Sequence, residues 1–268
     1  MKGRIKHLII FDADDKIVKS KEGAVMVTSI LKQDKFHKED YTVKECTLEE
    51  ARDVCKNKHY LHRVPSIVAH YGLYKEELLL GVITFGVPPS PYLMKICGEE
   101  YKGAVLELNR LWCYDISPRN SESFLISQGI KLLKKDKPHI KILVSFADSR
   151  EDHLGYIYQA SNWFFTGWSI PGGGSIVING KEFHPKNLNN KYNTSDLNKL
   201  KVILKTEDIH YRPRSKKLRY VYFIGSKKEN KELKVLCKYP IQDTYPKELP
   251  AEKEYKTQQQ KRLDKEAN

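Results

Sequence analysis

Residues 104 to 148 constrain the fold more than any other part of the chain. "AVLELNRLWCY" alternates well enough for a strand, with Leu106, Leu108, Arg110 and Trp112 on one face and Glu107, Asn109, Leu111 and Cys113 on the other. "SPRNSES" breaks that pattern. From Ser121 the spacing turns helical, through Phe124, Leu125, Ile126, Ile130 and Leu133, and Pro138 ends the helix. "HIKILVSFA" is then a near-continuous apolar run, as expected of a buried central strand. A short helix, "HLGYIYQASN", and another strand, "WFFTGWS", follow. Ahead of them, "IVAHYGLYK" and "LLLGVITFG" read as a hairpin turning at Lys75–Glu77. Two αβ units after a hairpin predict an α/β chain of the α+β kind, a mixed sheet with helices against it.

The flanks are plainer. "IKHLIIFD" reads as a strand. Thr47 and Glu50 form a capping box ahead of a helix that runs through Leu48, Ala51, Val54 and Cys55 into Lys58–His59–Tyr60, and it stops before Pro65. "GVPPSPY" is a loop, and "PGGG" (171–174) is a turn with no helix after it, so it is not a phosphate loop. Beyond it, "SIVI", "KVIL" and "RYVYFIG" read as short strands. The polar end from "ELPAEKEYK" reads as a frayed tail. The expected organisation is a catalytic domain over 1–180, a basic extension over 181–250 and a flexible tail over 251–268.

No stretch approaches 18 consecutive apolar residues and no signal peptide is legible, so the expectation is a soluble protein of the cytoplasm with no membrane partner. The five cysteines show no zinc spacing and read as buried free thiols. The net charge is +13, and residues 181–268 hold 22 Lys+Arg against 12 Asp+Glu. A basic end interleaved with aromatics, around "HYRPRSKKLRY", suits a phosphate backbone. The expected DNA contacts are Arg212, Arg214, Lys216, Lys217 and Arg219.

In an open sheet, ligands gather at the carboxyl ends of strands. Three features fall there: Asp148 at a strand end, Arg110 within an apolar face, and the "PRNSES" junction, whose helix amides suit an anion. Each also has a bland reading: Asp148 as a helix cap, Arg110 as a partner of Glu107 or a loop acid, Ser121 as a plain N-cap. Glu122 counts against a bare phosphate site.

"NKHYLHRVP" (57–65), "LLGVITFGVPPS" (79–90), "LELNRLWCYDISPRNSESFLI" (106–126) and "ILVSFADSREDHLGYIYQASNWFFTG" (142–167) together resemble the Mom family of phage DNA-modification proteins. The resemblance covers roughly residues 57 to 167 and implies a GNAT-like acyltransferase fold, with a mostly antiparallel central sheet. It implies an enzyme that adds a carbamoylmethyl-type group to adenine N6 in phage DNA, shielding the DNA from restriction in a bacterial host or prophage carrier. It assigns the catalytic roles to His59, Tyr60, Arg110, Asp148 and Tyr158. An acyl-CoA such as acetyl-CoA is expected at Arg119, Asn120, Ser121 and Ser123, although that junction lacks the glycines of the usual GNAT loop. Iron is associated with the family, and His59, Tyr60 and Asp148 are the candidate ligands. Adenine N6 is a poor nucleophile and is reached most easily when flipped out, so the DNA partner is a duplex with an extruded adenine stacked on Trp163, Phe164 or Tyr158. Two alternatives stay open: an acyltransferase for a small amine or protein, and a non-catalytic DNA-binding protein. The oligomeric state is open too, a dimer included.

Overall fold

The computed structural model describes residues 9–11 and 17–20 as backbone, and 36–249 apart from 116, 152, 170–172 and 214. In chain order the elements begin with β1 (Ile9–Phe11), β2 (Ile17–Ser20), a 3-10 turn (Lys38–Asp40), β3 (Tyr41–Glu45), α1 (Leu48–Asp53) and a π turn (Val54–Lys58). They continue with β4 (Ala69–Lys75), β5 (Leu78–Gly86), α2 (Pro91–Met94), β6 (Val105–Cys113), α3 (Ser121–Asp136), β7 (Ile142–Asp148) and α4 (Tyr156–Ala160). The last are β8 (Phe164–Trp168), β9 (Gly174–Ile178), β10 (Lys181–Phe183), α5 (Pro185–Tyr192), α6 (Leu197–Leu204), β11 (Ile209–Pro213), β12 (Lys217–Phe223) and α7 (Lys227–Leu236).

The main sheet has seven strands in the order β3-β4-β5-β6-β7-β12-β8. The pairs β3–β4, β4–β5 and β5–β6 are antiparallel, and β6–β7 is parallel. The parallel pair follows from the intervening α3, which must return the chain to the same end of the sheet. The fold is therefore mixed α/β with a mostly antiparallel central sheet, as expected.

The chain divides into two compact units, one of residues 1–145, 157–164 and 221–241, the other of 146–156, 165–220 and 242–268. The expected boundary at 180/181 falls in the turn between β9 and β10, which pair antiparallel. Residues 251–268 lie outside the described residues.

In the first unit, α3 buries Leu125, Ile126, Gly129, Ile130 and Leu133 as one stripe. Gly129 lets it close on Ile83 and Tyr71 of the sheet. On the other face, Cys46, Ala51 and Val54 pack with Tyr74, Val82 and Trp112. The capping box that starts α1 is present in full: the Glu50 amide donates to Thr47 Oγ1 (3.1 Å), and the Thr47 amide to Glu50 Oε2 (2.7 Å).

In the second unit, β9 lies between β10 and β11. Ile176, Ile178, Leu188, Leu200 and Ile209 form its core under α5 and α6. Here "KVIL" is the last turn of α6, not a strand. Asp196 caps that helix by accepting the Lys199 amide (2.9 Å). Leu197, Leu200 and Leu204 recur at helical spacing and point into the core. Val202 and Ile203, whose β-branching suggested a strand, face outward. The capping residue and the leucine period outweigh local propensity.

A second correction concerns β6. Its register with β5 shifts between Thr84, which faces Arg110, and Phe85, which faces Leu108. Asn109 is thus the extra residue of a β-bulge. Because side chains alternate with period two, one inserted residue reverses every face assignment beyond it. Arg110 and Trp112 therefore share the face of Glu107 and Thr84, not that of Leu106 and Leu108.

Candidate active site at the β6 bulge

The bulge relieves the apparent cost of a charge in an apolar face. Asn109 holds the kink from both sides: its Oδ1 accepts the Thr84 hydroxyl (2.6 Å), and its Nδ2 donates to the Ser66 carbonyl (2.8 Å). Gly86 must be glycine, since a Cβ there would run into that same Ser66 carbonyl. The Arg110 guanidinium donates to the carbonyls of Asn109 and of Arg63, the latter at 3.1 Å. Its Nε is buried with no hydrogen-bond partner among the described residues. Burial holds its pKa below the ordinary arginine value, against the opposing pull of Cys55, Tyr60 and Glu107.

His59 arrives beside Arg110 through the π turn. The His59 amide closes that turn on the Val54 carbonyl (2.9 Å), a wider loop than an α-turn. The imidazole is buried and accepts the Leu61 amide at Nδ1 (3.2 Å), so its proton is carried on Nε2. Burial lowers its pKa to about 4, helped by the Arg110 and His62 charges. It is a neutral hydrogen-bond donor at physiological pH. The Tyr60 ring stacks on it, with centroids 4.4 Å apart and planes at 27°. Tyr60 is 46% exposed. Cys55 is fully buried beside Thr84 and Arg110, and burial pushes its thiol pKa up, which disfavours a thiolate nucleophile.

Tyr158 belongs to the same unit. The pairing of β6 with β7 ends at Glu107–Val144, and Ser145 Oγ then lies 2.8 Å from both the Leu108 carbonyl and the Tyr158 hydroxyl. A serine has one hydrogen; given to the carbonyl, it leaves Oγ to accept from the tyrosine. Of the expected catalytic residues, His59 and Tyr60 stack on each other, the Arg110 charge acts on both, and Tyr158 is tied to the carbonyl two residues before Arg110. Asn109, Thr84, Ser66 and Ser145 were not anticipated. Ser145, polar in an apolar strand, was the one visible signal among them.

Asp148 belongs to the second unit and is heavily engaged there. It accepts the Ser215 hydroxyl and the Arg150 amide (3.1 Å), and pairs with Lys217 Nζ (3.1 Å). Burial alone would raise its pKa, but those partners outweigh burial and hold it below the usual value. A carboxylate so stabilised is a weak base.

A scan of the whole sequence matches the Mom protein family over residues 40–247. The chain belongs to the Mom family. A relative within it, "Methylcarbamoylase mom" of Escherichia phage Mu, is 37% identical over 119 residues, 44% of this chain and 49% of its own length. The chain thus matches about half the length of this curated Mom protein. Among solved structures, a GNAT family acetyltransferase from Elizabethkingia anophelis with acetyl-CoA bound is 11% identical, with a TM-score of 0.39 over 69% of this chain and 99% of that one. Arabidopsis thaliana NAA60 in complex with acetyl-CoA is 12% identical, with a TM-score of 0.42 over 69% and 98%. The assignment to the Mom family does not rest on these two.

The iron expected from the resemblance does not fit the donors named for it. No group of three or more His, Cys, Asp or Glu among the described residues is arranged to hold a metal. His59 Nδ1 and both Asp148 oxygens are already occupied. An acyl-CoA fits better. The amides of Glu122 and Ser123 at the start of α3 have no backbone partner among the described residues. A cavity of about 670 Å³ runs beside them, lined by Lys38, Glu39, Asn120, Ser123, Lys131 and Asn162 among others. Ser121 is buried and donates to the Pro118 carbonyl (2.7 Å), and Ser123 donates to that of Asn120 (3.0 Å), so their hydroxyl hydrogens serve the turn.

Two of the expected DNA contacts, Trp163 and Arg219, need correction. Trp163 is fully buried against Tyr158 and Tyr222 and cannot stack on a base. Arg219 is buried, and its guanidinium donates to the side chain (3.0 Å) and the carbonyl (2.9 Å) of Thr166. Lys217 is paired with Asp148, and Arg212 with Glu182 (3.5 Å). Lys216 is half-buried, and Arg214 lies outside the described residues.

Proposed function

We propose that the protein is a transferase that modifies DNA, attaching a carbamoylmethyl-type group to adenine N6 and so protecting the DNA from restriction. The observation that carries this reading is membership of the Mom family, together with the likeness to the phage Mu methylcarbamoylase. No helix among the described residues is long and apolar enough to cross a membrane.

The bulge site suits such a transfer. The buried Arg110 Nε–H and the His59 Nε2–H are donors that fit an acceptor oxygen, such as the amide carbonyl of the group being moved. Because His59 is neutral, it polarises that oxygen without repelling Arg110. Tyr60, half exposed, takes the stacking role first expected of Trp163, Phe164 or Tyr158. Tyr158 stands in reach of a proton relay through Ser145. Asp148 acts by holding Ser215 and Lys217 in place. An acyl-CoA would have its phosphates held by the amides at the start of α3, Lys38 and Lys131. Direct acyl transfer from it would join N6 to a carbonyl carbon, so a carbamoylmethyl product requires a further step with its own nitrogen donor. Mass spectrometry of nucleosides from DNA of cells expressing the chain tests the proposal. A heavier adenine nucleoside and resistance to restriction are expected; unmodified adenine contradicts it.

A further inference from the structure

The second unit presents a surface that the chemistry above does not use. Helices α5 and α6 are joined by residues 193–196, with Asn193 in the left-handed region at φ 55, and both pack their apolar stripes on the β10-β9-β11 sheet. The outward face of α6 carries Asn198, Lys199, Val202 and Ile203 at i, i+3 and i+4 spacings. Val202 is 78% exposed and Ile203 49%. Two adjacent β-branched apolar side chains thus stand in water next to a lysine and an asparagine.

The surrounding charge points to what that face meets. Each described carboxylate between 181 and 213 is already engaged. Glu182 pairs with Arg150 and Arg212, Asp196 caps α6, Glu207 pairs with Lys201, and Asp208 with His210. By contrast Lys181, Lys186, Lys199 and Lys205 are exposed and have no ion-pair partner among the described residues. The second unit therefore offers exposed cations without an ion-pair partner among the described residues, on β10, α5, α6 and just after α6, and the outer row of α6 is amide, ammonium and aliphatic. Those are the groups that read base edges in the major groove: Asn pairs with adenine N6 and N7, Lys with guanine O6 and N7, and an aliphatic side chain meets the thymine methyl.

We infer that α6 is a recognition helix, which enters the major groove of duplex DNA and reads base edges there, while Lys181, Lys186 and Lys205 contact phosphates. This rests on the reading of DNA as the substrate. It moves recognition from the 212–219 strand, where Arg212, Lys217 and Arg219 have partners within the fold, to a helix whose outward Asn198 and Lys199 side chains have no hydrogen-bond or ion-pair partner among the described residues. It also explains Val202 and Ile203: their exposure costs little if a thymine methyl covers them in the complex.

The test uses the full chain and a pool of duplexes randomised around one adenine, sequenced after binding, with affinity measured at two salt concentrations. Asn198→Ala and Val202→Ala are expected each to flatten the base preference at one position, by roughly 5- to 150-fold. Lys181→Ala, Lys186→Ala and Lys205→Ala are expected to weaken binding to all sequences alike and to reduce the salt slope by about one each. Val202→Asp is expected to lose at least tenfold in affinity with an unchanged melting temperature, since the side chain is exposed. If the α6 variants keep the wild-type base preference and affinity while the chain still modifies DNA, the recognition helix is wrong and the enzymatic reading stands. If the wild-type chain neither binds nor modifies DNA, both readings fall.

Discussion

His59 shows how burial fixes a role. Its folded pKa of about 4 lies below the ordinary imidazole value of 6.5, so the unfolded chain binds more protons between those values. Stability from this group is therefore complete above about pH 6.5 and lost as pH falls toward 4. The loss should reach about 2 kcal/mol by pH 5. Denaturant titrations at pH 7 and pH 5 should show His59→Gln losing less stability than the wild type over that interval. Equal losses would mean the imidazole is not held neutral. Tyr60 makes a different prediction. Tyr60→Ala should weaken DNA binding by the worth of one stacked base, roughly 1–3 kcal/mol, and Tyr60→Phe should not. A binding assay on duplex with an abasic partner opposite the adenine separates stacking from the cost of extrusion.

Two elements define the site, and both are departures from regular structure. The π turn holds one residue more per turn than an α-helix, and that residue sets the direction of His59. Deleting Asn57 should let the turn relax to α geometry and rotate His59 away from Arg110. The expected result is a folded protein by circular dichroism with modification lost; retained modification would show that the π geometry is incidental. In α6, Leu200 is fully buried, and Leu200→Ala should cost about 2–5 kcal/mol in denaturant unfolding, whereas a change at the exposed Val202 should cost almost nothing. These elements also mark the limit of what was legible. Helix α3, strand β7 and the β4–β5 hairpin follow from apolar period and punctuation alone. The capping box at Ser226 and Glu229, which starts α7, carried the same signal as that at Thr47 and was equally readable. The bulge at Asn109 left no trace in alternation, because the residues on both sides of it are apolar or mixed. Only the pairing with β5 reveals that Arg110 has changed face.

For the whole molecule, net charge proved a poorer guide than its local commitment. The +13 excess pointed to DNA, and the "HYRPRSKKLRY" stretch to the place. Yet ion pairs and carbonyl contacts within the fold occupy Arg212, Lys217 and Arg219, and composition cannot distinguish a committed cation from a free one. Affinity for random duplex should still fall steeply between 50 and 200 mM salt, as phosphate contacts require. Charge reversal at Lys186 and Lys205 should lower affinity more than charge reversal at Arg219, which should instead lower the melting temperature.

The central claim is that Arg110, turned onto the face of His59 and Tyr60 by the Asn109 bulge, forms the centre of a DNA-modifying site. Arg110→Lys keeps the positive charge but loses the fork that reaches the Asn109 and Arg63 carbonyls, along with the buried Nε donor. The direct measurement is the fraction of modified adenine in DNA from cells expressing equal amounts of wild-type and Arg110→Lys protein, read by nucleoside mass spectrometry. The account predicts modified adenine with the wild type and at least a hundredfold less with the variant, the size of effect that follows loss of a donor aimed at the reacting group. Equal modification by the two proteins would contradict it.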